Sequence, residues 1–166
     1  MRQSSEQELD RYGVVCLTTA NDNILMWSHY AGSHTGICLG YTPSPDAMDF
    51  ACAFKVRYES VRPQFNMMNS MIEQSVFDAL VTKSTDWSYE KEWRLIDHRI
   101  LERKRTYPPA TLVEIIFGCR VSSENKDRIF AAVAGSKSAP NFFIARPSQT
   151  HFSLEIDPDF RESSDW

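Results

Sequence analysis

The sequence lacks the features that mark several large classes of protein. No hydrophobic stretch approaches the roughly 18 residues that a helix needs to cross a bilayer, and the polar start, MRQSSEQELDRYG, is not typical of a signal peptide. The patterns G-x-S-x-G, G-x-x-x-x-G-K-[ST] and G-x-G-x-x-G are all missing, so no motif points to an α/β-hydrolase, a P-loop enzyme or a dinucleotide-binding fold. These absences favour a cytoplasmic protein without a membrane span.

Cysteine pairs are missing as well. The chain has four cysteines, and no two of them form a C-x-x-C pair. Three lie in apolar runs that are typical of strands. We therefore expect buried free thiols in a reducing compartment rather than a disulfide framework. The four are Cys16, Cys38, Cys52 and Cys119.

The chain has no large excess of charge of one sign. A formal net charge of −4 over 166 residues is too small to steer the protein toward one kind of partner, and it gives no indication of nucleic-acid binding. The basic run at 99–105 is interpreted as a solvated loop or helix face, with an anion site as the alternative. Hydrophobic residues (42%) and charged residues (24%) are typical of a globular protein. The length predicts a single domain, with a lead at 1–11, a core at 14–157 and a tail at 158–166.

Hydrophobic periodicity predicts an α+β fold. The expected architecture is a mixed, mostly antiparallel sheet or sheets with two main helices and one short helix. The predicted strands lie at 14–19, 36–41, 50–58, 87–97, 112–118, 142–146 and 151–156. The predicted helices are one at about 66–83, one that Ser122 or Ser123 caps and that reaches Ala134, and a short one between Asn21 or Asp22 and Gly32.

The segment WSYEKEWRLID (Trp87–Asp97) carries closely spaced charges of both signs. If it forms one strand, Glu90, Glu92 and Arg94 point to the same face, because side chains alternate along a strand. Two carboxylates on one face can act as a catalytic pair, and a separation of roughly 7 Å would suit an inverting glycosidase. The alternative is an ion pair between Arg94 and one of the glutamates.

The segment MWSHYAGSHTGICLGY (Met26–Tyr41) is the second candidate region. A structural zinc site needs three or four converging nitrogen or sulfur ligands. The spacing of His29, His34 and Cys38 is not an established zinc spacing, so we expect no metal. Either histidine is a candidate for hydrogen-bonding a ligand, since imidazole both donates and accepts near neutral pH. Alternatively, His29 packs on the helix and His34 lies in the loop that follows.

Three segments together resemble a bacterial family, the domain of unknown function 2971 family. They are LMWSHYAGSHTGICLGY, KSTDWSYEKEWRLI and LVEIIFGCRVS. The resemblance implies no settled activity. Members of that family usually begin with an upstream segment that holds a tyrosine-rich first strand and an Asn-Asp-Pro-Phe motif. We therefore expect the chain to be a short member, a fragment or one part of a larger product.

EKEWRL (Glu90–Leu95) also resembles the E-x-E strand of ADP-ribosyltransferases. This resemblance implies an NAD-dependent transferase or NAD glycohydrolase with NAD as the substrate and an unspecified acceptor. In it, Glu92 would hydrogen-bond the nicotinamide ribose and stabilise an oxocarbenium-like transition state. Glu90 would orient or activate the acceptor. Three further candidates would bind substrate: Ser84 in place of the superfamily's serine, and Trp87 or Tyr30 stacked on nicotinamide.

The alternative function is a non-catalytic module that binds a ligand or another protein. The two hypotheses predict different surroundings for the glutamates. The enzyme requires Glu90 and Glu92 to line one cleft with a histidine and an aromatic side chain. The module predicts dispersed side chains, or glutamates that are fully engaged by Arg94 and neighbouring lysines. Arg94 is therefore a candidate for binding substrate in the first case and a structural partner in the second.

Overall fold

The computed structural model describes residues 11–42, 52–64, 72–98, 111–135 and 139–158. The chain divides into two compact units, each made of two stretches of sequence. Unit 1 is Met1–Thr19 with Asp49–Thr106, and unit 2 is Ala20–Met48 with Tyr107–Trp166. The expected single domain over 1–166 stays a prediction, because two such units can form one domain or two. Among the described residues, no helix is long and apolar enough to cross a membrane.

The described elements confirm the α+β class. The α-helices are α1 (Ile24–Tyr30), α2 (Ile72–Leu80) and α3 (Ser123–Val133), and a 3₁₀ helix covers Thr85–Glu90. The strands are β1 (Tyr12–Thr18), β2 (Ile37–Tyr41), β3 (Phe54–Lys55), β4 (Arg57–Glu59), β5 (Thr82–Ser84), β6 (Glu92–His98), β7 (Leu112–Phe117), β8 (Asn141–Pro147) and β9 (Leu154–Pro158). Most of the pairings are antiparallel, and the β4–β5 and β7–β8 pairings are parallel.

Unit 1 holds a three-stranded sheet and a separate pair of short parallel strands. The sheet has the order β1-β6-β3, and its register sets Thr18 opposite Glu92 and Cys16 opposite Arg94. In the pair, β4 and β5 are joined by a crossover that contains α2, which is the arrangement of a β-α-β unit. Val76 is the buried residue of α2. The carboxyl ends of β4 and β5 therefore lie at the same edge of the pair.

Unit 2 is a four-stranded sheet of order β2-β7-β8-β9 with an apolar core. One cluster joins Trp27 of α1 to Ile116, Ala145 and Leu154 of the sheet. A second set of contacts is aromatic, since the ring of Phe130 in α3 lies 5.5 Å from Phe117 and 4.6 Å from Phe142. Burial of three consecutive residues at the end of β7 fits a strand that is covered on both faces.

Several predicted boundaries are wrong. The helix predicted at 66–83 ends at Leu80, and Lys83 lies in β5, where it pairs with Tyr58. The strand predicted at 50–58 is divided, because β3 pairs with β6 whereas β4 pairs with β5. The N-cap of α1 is Asn23, whose side chain accepts the backbone N–H groups of Leu25 and Met26. Residues 43–51, 65–71 and 99–110, which include the basic run, lie outside the described residues.

The prediction of buried cysteines is also wrong in part. All four thiols are free, but Cys16 and Cys52 are exposed and the other two are half-buried. Cys16 lies in β1, which pairs only with β6 among the described strands. An apolar run therefore does not ensure burial when the strand lies at the edge of its sheet.

Candidate functional site

The backbone around the two glutamates changes conformation between them. Trp87 to Glu90 belong to the 3₁₀ helix, and β6 begins only at Glu92. Lys91 joins the two with left-handed dihedral angles, φ 46° and ψ 47°. The prediction of one continuous strand over 87–97 is therefore wrong. The cause is an N-cap: the Ser84 side chain accepts the Asp86 backbone N–H and starts a helical turn.

Both glutamates nevertheless reach one cation, the Lys83 ammonium. Lys83 Nζ pairs with Glu90 Oε2 and lies 3.1 Å from Glu92 Oε2. The Thr18 hydroxyl of β1 donates to the Glu90 carbonyl oxygen at 2.5 Å, which fixes the turn. The two carboxylates thus converge on a lysine from a helix end and a strand start, and do not form the expected pair along one strand face.

Arg94 confirms the predicted ion pair, and Glu92 is its partner. Arg94 Nε donates to Glu92 Oε1 at 2.8 Å, and Nη2 donates to Oε2 at 3.1 Å, which gives a two-point contact. Nη1 of Arg94 donates to the Leu80 carbonyl oxygen at 2.5 Å, at the end of α2. We call Cys16, Lys83, Glu90, Glu92 and Arg94 the Lys83 cluster.

The cluster shifts the protonation equilibria of its members. Burial by itself would raise the pKa of Glu92, but hydrogen bonds from Arg94, Cys16 and Lys83 lower the pKa to about 2. Cys16 is exposed as a residue, but partial burial of its thiol, followed by the hydrogen bond to Glu92, raises the pKa of the thiol to about 11. Burial opposes the charge on Lys83, yet its hydrogen bonds to the two glutamates raise its pKa. At neutral pH, Glu92 is therefore an anion between cations, and Cys16 is a thiol rather than a thiolate.

Both carboxylates of the cluster are buried. Glu90 is 2% exposed and Glu92 is 4% exposed, whereas the Lys83 side chain keeps 21% of its surface. The backbone N–H of Glu92 is also engaged, since it donates to the Tyr58 hydroxyl at 2.8 Å. Among the four charged residues of the cluster, Lys83 is therefore the one that solvent or a ligand reaches most directly.

Lys83 lines a cleft of about 510 Å³ in unit 1. One wall follows the end of β4, and the other is formed by β5 and the 3₁₀ helix. Ligands of open α/β sheets bind beyond the carboxyl ends of the strands, and this cleft has that position relative to β4 and β5. The lining residues are Glu59, Ser60, Val61, Arg62, Pro63, Ala79, Thr82, Lys83, Ser84 and Trp87.

The cleft brings together two of the predicted binding residues. Ser84 lies at its wall, where its hydroxyl also donates to Asp86 Oδ2 at 3.1 Å and so helps to hold the start of the 3₁₀ helix. Trp87 is 36% exposed, and Lys83 Nζ lies 5.1 Å from the centre of its ring system. This distance is within the range of a cation–π contact. Glu90, Glu92 and Arg94 do not belong to the lining.

The other predicted binding residues lie in unit 2. His29 and Tyr30 are at the end of α1, where both side chains are exposed and their ring centres are 6.3 Å apart. His34 follows in a turn whose residues Gly32, Ser33 and His34 all have positive φ. We call residues 32–36 the His34 turn. The described parts of the chain hold no group of three His, Cys, Asp or Glu side chains that is suited to a metal.

Backbone contacts hold the His34 turn. The His34 N–H donates to the Trp27 carbonyl oxygen at 3.3 Å, and the His34 carbonyl oxygen accepts the Arg120 N–H at 3.0 Å. Gly118 passes so close to this carbonyl that a Cβ atom at position 118 would overlap it. The Ser28 hydroxyl donates to Ile24 O, so it accepts from His34 Nε2 at 3.0 Å. The proton of neutral His34 is then on Nε2. Nδ1 is buried and has no hydrogen-bond partner among the described residues.

Sequence reasoning missed three residues that surround the two glutamates. Lys83 falls within the helix predicted at 66–83, and neither Tyr58 nor Cys16 stands next to a recognisable motif. A signal for the broken strand was present, because Ser84-Thr85-Asp86 has the serine and early acidic residue of a helix start. No local pattern marks Lys83 as the common partner of both glutamates.

Comparison with known proteins places part of this chain in a family without a described activity. Residues 26–95 match the model of a family described as Protein of unknown function (DUF2971). The matched stretch contains the His34 turn and most of the Lys83 cluster, and it confirms the family that the motifs indicated. No curated protein and no solved structure matches the chain.

Proposed function

We propose that this chain, which matches the DUF2971 family model over residues 26–95, is a small-molecule-binding module whose site is the cleft of unit 1. Its volume of about 510 Å³ falls within the range of small-molecule sites. Its walls combine hydroxyl groups, two cations and the Trp87 indole, which is the mixture of apolar and polar groups that ligand sites use. Its position beyond the ends of two parallel strands supports the same function.

One observation carries the preference for binding over catalysis. Both oxygens of the Glu92 carboxylate are engaged, by Arg94 on one side and by Arg94 and Lys83 on the other. A carboxylate that stabilises developing positive charge on a substrate has to face that substrate. Glu92 is instead buried behind Lys83, as the non-catalytic module predicts.

The test is an NMR screen of the labelled protein against a library of small fragments, combined with an assay of nicotinamide release from NAD. We expect fragments that shift the amide signals of Ser60 to Arg62 and the indole signal of Trp87. We expect no nicotinamide release above background by the wild type. If no fragment shifts the cleft signals, the module has no ligand site there and the proposal is wrong.

The second candidate is an NAD-dependent enzyme of the ADP-ribosyltransferase or NAD glycohydrolase type. One observation favours it: Lys83 both lines the cleft and bonds the two glutamates, so the carboxylates lie one hydrogen bond behind the cleft wall. A substrate anion that drew Lys83 away would remove the cation that separates the two carboxylates from the cleft. Nicotinamide release by the wild type, lost in folded Glu92→Gln, would establish this function. No release by the wild type would rule it out for this chain.

A cytoplasmic location in a bacterium is part of the proposal. It is supported by the free state of all four thiols, since a reducing compartment keeps thiols unpaired. Fractionation of cells that express the chain, followed by thiol labelling without reductant, tests it. Label on the exposed Cys52 of protein from the cytoplasmic fraction is the expected result, with slower label on Cys16, because reagents react with the thiolate and the pKa of Cys16 is raised to about 11.

A further inference from the structure

The cleft of unit 1 contains groups that the ion-pair cluster does not use. Arg62 is exposed and forms no ion pair with another described residue, although it lines the cleft. Lys83 is the second cation of the lining, and its ammonium is shared with two carboxylates. Arg62 is therefore the cation whose charge is available to a ligand, and guanidinium suits the two-point binding of phosphate or carboxylate oxygens.

An aromatic surface lies in the same cleft. Trp87 keeps 36% of its surface exposed, beside the Lys83 ammonium that lies 5.1 Å from the centre of its ring system. Its position is fixed, because the 3₁₀ helix that carries it is capped by Ser84 at one end. The ring of Tyr89 lies 6.0 Å away at 39° and supports it further. A ring of this kind offers a flat ligand group a stacking surface.

Glu59 and the hydroxyl groups add hydrogen-bonding capacity of a particular kind. The Glu59 carboxylate, exposed at the end of β4, accepts hydrogen bonds from hydroxyl or amino groups. The hydroxyls of Ser60 and Thr82 both donate and accept. An anion receptor, a flat apolar surface and an acceptor for O–H or N–H donors thus share one cleft.

We propose that the ligand of this cleft is a nucleotide, whose base stacks on Trp87, whose phosphate pairs with Arg62 and whose sugar or base donors reach Glu59. This inference rests on the proposed binding function and names the ligand class of the same site. The exposed part of Lys83 adds a second, weaker contact to the phosphate, because two carboxylates already compensate its charge.

The experiment is a set of NMR titrations with four ribonucleoside monophosphates, the corresponding nucleosides, glycerol 3-phosphate and inorganic phosphate. We expect at least one nucleotide to bind about tenfold or more tightly than its nucleoside and than glycerol 3-phosphate, since stacking and phosphate pairing each contribute about that factor. Trp87→Leu is expected to reduce nucleotide affinity to the level of glycerol 3-phosphate. Arg62→Gln is expected to reduce it to the level of the nucleoside.

Two substitutions in unit 2 serve as matched controls. Tyr30→Leu removes another exposed aromatic ring, and Arg128→Gln removes another exposed arginine, so neither should change the affinity. Equal binding of glycerol 3-phosphate and every nucleotide would overturn the nucleotide class. An equal loss of nucleotide affinity in the control variants and in the cleft variants would also overturn it. If either result is found while fragments still bind in the cleft, the proposed binding function stands and only the nucleotide class is wrong. If no fragment binds in the cleft, both the binding function and the nucleotide class are wrong.

Discussion

The Lys83 cluster of unit 1 and the His34 turn of unit 2 are held by different forces. The cluster depends on charge: one lysine and one arginine neutralise two buried carboxylates. The turn depends on backbone hydrogen bonds and on a close approach of Gly118 to the His34 carbonyl. The His34 turn and four of the five cluster residues lie within the stretch that matches the family model, and Cys16 and Gly118 contact it from outside. The first should therefore respond to pH and to loss of charge, and the second to the size of a single side chain.

Glu92→Gln should give the largest effect. Removing one partner of a buried ion pair leaves charges uncompensated and costs about 3–5 kcal/mol, and Glu92 serves two cations. Urea unfolding followed by NMR signals of β6 for unit 1 and of β7 for unit 2 measures the loss. Glu155→Gln, at an exposed position of β9, should change the free energy of unfolding by less than about 0.5 kcal/mol. Equal losses in both variants would show that the cluster contributes no stability.

Acid should weaken the same cluster without any substitution. The pKa of Glu92 is lowered from 4.5 to about 2, so its charged form stabilises the folded protein. This contribution is complete above about pH 4.5 and is lost as the pH falls toward 2. The urea midpoint of the β6 signals should drop across this range in the wild type. In Glu92→Gln the drop should be smaller, and a drop of the same size would assign the acid sensitivity to other groups.

Gly118→Ala should destabilise the His34 turn of unit 2. The added Cβ would overlap a backbone oxygen, which cannot move as a side chain can. Overpacking of this kind costs about 1–3 kcal/mol. The loss should appear in the β7 signals at every pH between 3 and 7. The control is Gly135→Ala, since no heavy atom of the described residues lies within 4 Å of the Cβ position of Gly135. Because Gly135 has φ 89°, alanine at this position introduces backbone strain of its own. The two variants are therefore also distinguished by NMR: Gly118→Ala should shift the Ser28 and His34 signals, and Gly135→Ala should not.

The smallest effect should come from an ion pair at the surface of unit 1. Arg57 Nη2 lies 2.5 Å from Asp78 Oδ1, but half of the arginine side chain is exposed. Exposed pairs contribute about 0–1 kcal/mol. Asp78→Asn should therefore lower the free energy of unfolding by less than about 1 kcal/mol. A loss as large as that of Glu92→Gln would mean that burial does not distinguish the two pairs.

The sequence predicted the fold class and most elements, because periodicity and caps are local. Ser122 caps α3 as expected, and β7 has nearly the predicted bounds. The partners of the glutamates were harder to foresee. Arg94 lies two residues from Glu92 and was predicted, whereas Lys83 reaches it only because α2 ends early and β5 pairs with β4. Such a contact depends on tertiary pairing, which no local pattern records.

The left-handed conformation of Lys91 has a consequence for how this position varies among relatives. Its side chain is exposed, so the chemistry of the residue is weakly constrained, while its backbone is confined to a region that disfavours branched side chains. Glycine, asparagine or aspartate should replace lysine freely, and valine, isoleucine or proline should not. The middle residue of the E-K-E segment is thus constrained by backbone handedness, and a protein with a β-branched residue there would have to orient its two glutamates by another backbone path.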